Sequence, residues 1–145
     1  MDDRRRVRKD DGPAGRPTYD DSDWPIFVVK MPSHQLSDVE FVAHLEAMRE
    51  PYRRGQPFGL LIVMGDYPPL PPTQRKAAAE AMKSDAQRHP GLLRGKAIVI
   101  RSTLERGVVT AVAWMAQPSY PFAAFETEAL AKSWLLRHLR SPMAG

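Results

Sequence analysis

Apolar and polar positions along the chain change their rhythm several times, and each change predicts an element. "WPIFVVKM" (24–31) is short, β-branched and aromatic, which predicts a strand. Next, "SDVE" places Ser37 three residues before Glu40, the spacing of a capping box. Phe41, Leu45, Met48 and Tyr52 follow at helical intervals, with Glu46, Arg49, Glu50 and Arg53 on the opposite face. That helix is expected to end near Arg54, with Gly55 as its stop. "FGLLIVMG" (58–65) is apolar without alternation, as in a strand covered on both faces.

After a proline loop, "YPPLPP", a helix is predicted from Thr73 to His89. Its inner face is mostly alanine (Ala78, Ala81, Ala86), with Met82. "KAIVIRS" (96–102) reads as a strand, "TLERGVVTAVAWMAQ" (103–117) as a helix, and "FAAFE" (122–126) as a short strand. Thr127 is placed to cap a last helix, on which Leu130, Ala131, Trp134, Leu135 and His138 share one face. The order βαβαβαβα predicts a single α/β domain. Its sheet should be mostly parallel and four-stranded, with helices packed on it after right-handed crossovers. The domain is expected over 23–141, with a disordered charged tail over 1–22 and a flexible C-terminus over 142–145.

Composition narrows the chemistry. The 145 residues contain no cysteine, which removes disulfides, thiolate zinc sites and cysteine nucleophiles. The four histidines (His34, His44, His89, His138) have no metal-binding spacing, so neither a metal nor any other cofactor is expected. Net charge is +4. Residues 1–22 hold six basic residues (Arg4, Arg5, Arg6, Arg8, Lys9, Arg16) against six acidic ones (Asp2, Asp3, Asp10, Asp11, Asp20, Asp21). The tail is therefore neutral overall, and "RRRVRK" reads as a self-neutralised solvated run rather than a nucleic-acid contact. No apolar stretch is long enough for a membrane span, and the basic start has no apolar segment behind it. A cytoplasmic, bacterial-type protein is the expectation.

Candidate chemistry gathers at the carboxyl ends of the predicted strands, where ligands of α/β sheets bind. The turn "GDYPPLPPTQRK" has no glycine-rich phosphate motif, and its prolines lack the N–H groups that would cradle one. Asp66 stands there as a lone carboxylate. Arg101, Ser102 and Thr103 place a guanidinium and two hydroxyls at a helix start, which suits either an anion or a simple N-cap. Asp66, Arg101, Ser102 and Thr103 are accordingly the candidate ligand or anion site. No serine sits in a Gly-x-Ser-x-Gly elbow, and no catalytic residue is nominated.

One helix breaks the amphipathic rule. "GVVTAVAWMA" (107–116) carries no charge, and Thr110 is its sole polar side chain. If Val108, Ala111, Val112 and Met115 face the sheet, then Val109, Ala113 and Trp114 face outwards and form a candidate interaction surface. A protein partner, a second copy or a lipid-like ligand would cover it.

From Trp24 to Leu139 the order of elements resembles the SpoIIAA-like proteins, within the STAS and SEC14 (CRAL-TRIO)-like group of small α/β domains. "KAIVIRSTLERGVVTAVAWM" is similar to that group's strand, Arg-Gly and hydrophobic helix. "PSYPFAAFETEALAKSWLL" is similar to its closing pattern, an aromatic-ended strand before an alanine-rich helix finishing in Trp134-Leu135. The resemblance implies a STAS-like fold and a non-enzymatic regulatory or binding role. In anti-anti-sigma factor members, a serine opening the helix after a central strand is phosphorylated to switch partner binding. "DYPPLPPTQRK" lacks the Asp-Ser-Ser-Gly-like motif and offers Thr73 alone, so the phosphoswitch is not expected here. SEC14-like members bind lipids, which the apolar helix would support. The expectation is thus a non-enzymatic protein-interaction module. The alternatives are a lipid or small-ligand domain, and an enzyme built on Asp66, Arg101, Ser102 and Thr103.

Overall fold

A computed structural model describes residues 15–116 and 118–140. In chain order the elements are β1 (Thr18–Asp20), β2 (Ile26–Lys30), α1 (Asp38–Ala47), a 3-10 turn (Glu50–Arg54), β3 (Phe58–Val63), α2 (Pro72–Arg88), β4 (Leu93–Val99), α3 (Thr103–Ala116), β5 (Phe122–Phe125) and α4 (Glu128–Arg140). The strands lie side by side in sequence order as a five-stranded sheet. β2 to β5 are parallel, and β1 is antiparallel to β2.

The fifth strand corrects the four-stranded expectation. β1 comes from the segment read as disordered tail and pairs Thr18 with Lys30, Tyr19 with Val29 and Asp20 with Val28. Three residues beside acidic neighbours carry no periodicity for a sequence pattern to register. What holds them is tertiary. Tyr19 stacks on Phe27 and on His44, and its hydroxyl meets His44 Nδ1 at 2.7 Å. The rest of the expected tail, residues 1–14, and the expected flexible end, 142–145, lie outside the described residues.

Parallel strands laid down in sequence order, each joined to the next by a right-handed crossover, place α1, α2 and α3 on one face of the sheet. α4 follows the last strand and returns across the other face. The strand pleat divides the core accordingly. Phe27, Val29, Leu60 and Ile62 pack with Phe41, Met48 and Tyr52 and with Ala77, Ala78 and Met82 of α2. Ile26, Val28, Leu61, Ala97 and Val99 pack with Ala131 and Leu135 of α4.

Two glycines set the approach of α4. A Cβ at Gly59 would lie 3.1 Å from Leu135 Cδ2, and one at Gly95 would lie 3.2 Å from it. These two positions are register neighbours on β3 and β4, so together they form the flat floor on which Leu135 sits.

Local signals explain the remaining boundaries. Ser37 Oγ accepts from Glu40 N at 3.1 Å and Glu40 Oε1 accepts from Ser37 N at 2.8 Å, the reciprocal capping box. The helix it starts is shorter than expected. It stops at Ala47 and gives way to a 3-10 turn containing Pro51, whose missing N–H interrupts the α ladder. Gly55, at φ 67°, ends that turn in the left-handed region. β4 starts at Leu93, earlier than expected, because Gly91 (φ 82°) turns the chain and Leu93 already pairs with Phe58.

Candidate functional site

The carboxyl ends of β3 and β4 do bring Asp66 and Arg101 together. Arg101 Nη2 lies 3.4 Å from Asp66 Oδ1, but the two side chains are 72% and 79% exposed. An ion pair this open to water and salt holds little energy and little geometry. The two hydroxyls are engaged by the helix itself. Ser102 Oγ accepts from Glu105 N at 3.2 Å, which is the N-cap role. Thr103 Oγ1 accepts from Arg106 Nη2 at 3.1 Å.

Arg106, the arginine of the Arg-Gly pair that carries the resemblance, is a residue the sequence did not nominate for the site. Its Nη1 donates to the carbonyls of Ile100 at 2.7 Å and Arg101 at 2.9 Å, fastening the end of β4 to the first turn of α3. A cation in a first helical turn opposes the helix dipole, and that anomaly is the signal that a compensating contact exists.

The turn after β3 is a structural junction. Gly65 adopts φ 56°, and Tyr67 is buried with its hydroxyl accepting from Leu36 N at 3.0 Å. Gln74, buried in the first turn of α2, donates to the Leu36 carbonyl at 3.1 Å and to Asp38 Oδ1 at 2.9 Å. Thr73 is exposed beside it, and the N-cap position is taken by Pro71 without a side-chain bond. Among the described residues, no group of three or more His, Asp or Glu is placed to hold a metal ion.

Buried titratable groups lie elsewhere. His44 is buried on α1 among Tyr19 and Phe41; desolvation, helped by the charge of Lys96, pushes its pKa down to about 4. Lys96, partly buried on β4 with its amine 5.8 Å from the Phe122 ring centre, is pushed down to about 8 by burial. Asp85 is buried on α2 and accepts from Arg49 Nε at 3.1 Å. Burial also raises the pKa of Tyr52, whose hydroxyl has no hydrogen-bond partner among the described residues.

The apolar helix α3 presents the surface of greatest interest, with its rotation corrected. Val109 and Ala113, expected outside, are half-buried with Arg106, on the side that packs against β5. Val108, Val112 and Met115, expected on the sheet, are exposed, as are Leu104 and Trp114. Arg106 explains the phase. Positions 106, 109 and 113 share one helix face, so anchoring Arg106 on the Ile100 and Arg101 carbonyls carries Val109 and Ala113 inward. Hydrophobicity could not set this rotation, since almost every position is apolar.

Leu104 is 78% exposed, Trp114 81% and Met115 79%, with Val108 and Val112 each above half. Beside this ridge runs an open trough of about 640 Å³, lined by Arg106, Gly107, Thr110, Ala111, Trp114 and Met115 of α3 and by Ala124 of β5. Among the described residues no helix is long and apolar enough to cross a membrane.

No family model matches the chain, and no curated protein matches it. A match exists among solved structures. The crystal structure of an uncharacterized protein from the DUF3478 family, with a SpoIIAA-like fold, from Shewanella loihica PV-4 superposes with a TM-score of 0.59. Identity is 16%, over 82% of this chain and 91% of that one. At this identity the likeness speaks to architecture, and to the SpoIIAA side of the expected resemblance rather than the SEC14 side. The parallel sheet, the crossover helices and this superposition agree: the chain has a SpoIIAA-like fold.

Proposed function

We propose that this chain is a non-enzymatic regulatory module of the cytoplasm that acts by binding a protein partner through the outer face of α3. One observation carries the reading: five large apolar side chains stand exposed along a single helix that has no charge after Arg106. Their combined wet surface is on the order of 700 Å², against ~300–600 Å² for the largest apolar patch of an ordinary monomer. The strand ends support the same reading, because Asp66 and Arg101 pair in open water and Ser102 is engaged as the N-cap. Thr73, followed by no glycine and preceded by prolines, supports a module that is not switched at the turn after β3.

The test compares wild type with Val112→Lys and with Thr73→Glu as immobilised baits in extract from the source organism. Val112→Lys should lose the retained partner while melting as wild type does, and Thr73→Glu should keep it. Retention of the same proteins by Val112→Lys would refute α3 as the binding face. A second reading, a lipid-like ligand, is favoured by the trough beside Trp114. It requires long-chain fatty acid to shift the Trp114 emission of the protein, an effect that Gly107→Arg should remove by filling the trough.

A further inference from the structure

We propose that the occupant of the α3 face is a second copy of this chain, packed antiparallel across a two-fold axis that crosses α3 near its middle. The inference rests on the reading of α3 as the contact face and adds the identity of the partner. Area is the first support. The ridge of Leu104, Val108, Val112, Trp114 and Met115 leaves on the order of 700 Å² wet, close to the ~800 Å² that each partner contributes to a standard interface.

Shape is the second. Ridge and trough lie side by side on one helix, and a two-fold axis satisfies both at once, since the ridge of each protomer enters the trough of the other. Gly107 is the telling residue. Glycine is a poor choice inside a helix, and a Cβ there would meet nothing within 4 Å among the described residues. Its own fold therefore has no need of the missing side chain, whereas close approach of another helix does. In an antiparallel pair centred between residues 109 and 110, Gly107 faces the partner's Val112, Leu104 faces the partner's Met115, and Val108 faces the partner's Ala111. Small opposes large at two of the three positions.

Charge is the third. Glu105 and Arg106 are the charged residues of α3 and both lie in its first turns. Antiparallel pairing separates the two copies of each to opposite ends of the seam, so no like charges meet along it.

The experiment uses the full chain in sedimentation velocity from 1 to 200 μM. Wild type should associate to a dimer, with acrylamide quenching of the tryptophan emission, in which Trp114 is the exposed one of three, falling as concentration rises. Gly107→Arg, which enters open space in the single chain, should weaken association at least tenfold. Val108→Lys and Ala111→Glu should each be monomeric, and an equimolar mixture of the two should regain dimer, because Val108 and Ala111 face one another across the axis. Far-UV circular dichroism and melting curves establish that each variant is folded, and the quenching of wild type needs no variant at all. A wild type that stays monomeric at 200 μM overturns the proposal, as does a dimer unaffected by Gly107→Arg. So does a monomer whose Trp114 is shielded only by phosphatidylglycerol vesicles. If self-association is absent while Val112→Lys still loses a heterologous partner, this inference fails and the α3 reading stands. If Val112→Lys changes neither, both fail.

Discussion

His44 makes folding of this domain pH-dependent between about pH 4 and 6.5. The ring is 7% exposed, packed against Phe41 and Tyr19 with the Lys96 charge nearby, and it is held neutral with a pKa of about 4 in the fold. In the unfolded chain the ordinary value of 6.5 applies. Between these values the unfolded state binds the extra proton, so stability rises with pH across the window and falls as pH drops through it. The difference corresponds to about 3 kcal/mol once pH is below 4, and to about 2 kcal/mol at pH 5, at ~1.4 kcal/mol per pK unit. Above pH 6.5 the ring is neutral in both states and the penalty vanishes. For a domain of this size 2 kcal/mol is a Tm change of about 8 °C. The check is urea unfolding of wild type and His44→Leu at pH 5, 6, 7 and 8. The two curves of stability against pH should differ in slope below pH 6.5 and run parallel above it. Parallel curves throughout, or a His44 ring that titrates near 6.5 by NMR, would refute the reasoning.

Two further outcomes are expected. Gly95→Ala puts a methyl 3.2 Å from Leu135 Cδ2, so urea unfolding should show a loss of about 1–3 kcal/mol, partly recovered by adding Leu135→Val; an additive double variant would mean α4 does not rest on that glycine. Deleting residues 1–14 should leave Tm within about 2 °C, whereas deletion through Ser22 removes β1 with the Tyr19–His44 bond and should lower it by at least ~5 °C; equal Tm values would mean β1 contributes nothing to the fold.

The elements legible in sequence were those whose signal is local. "FGLLIV" is apolar on both faces because β3 is the central strand, covered by α1 and α2 on one side and by α4 on the other. Ser37 and Glu40 form the capping box at the position where the spacing put it. What escaped was decided at long range. β1 exists because Tyr19 finds Phe27 and His44. Gln74 and Asp85 are buried in a helix whose inner face read as alanine and methionine. Their partners, the Leu36 carbonyl, Asp38 and Arg49, come from the loop before α1, from α1 itself and from the junction between α1 and the 3-10 turn. The candidate anion site shows the converse. Asp66 and Arg101 do meet, but whether a pair at a strand end lies in a cleft or in open water depends on the surface around it, which no spacing of residues encodes.

The rotation of α3 is the most instructive of these differences. Four parallel strands with right-handed crossovers put three helices on one face of the sheet and leave one for the other. On the crowded face, α1 and α2 already cover β2, β3 and the near side of β4. α3 has for its floor mainly β5, an edge strand of four residues, each of them only partly buried. Three inward positions, Arg106, Val109 and Ala113, are enough to use that floor up. Every remaining apolar residue of the helix therefore lies beyond what the other described residues bury. Lysine or glutamate at positions 108, 112 and 115, all more than half exposed, would remove much of the cost of wetting the patch at ~25 cal/mol per Å². Folding alone gives no reason for Val108, Val112, Trp114 and Met115 to stand together outside. Contact with another molecule does, and the open space at Gly107 says how closely that molecule approaches.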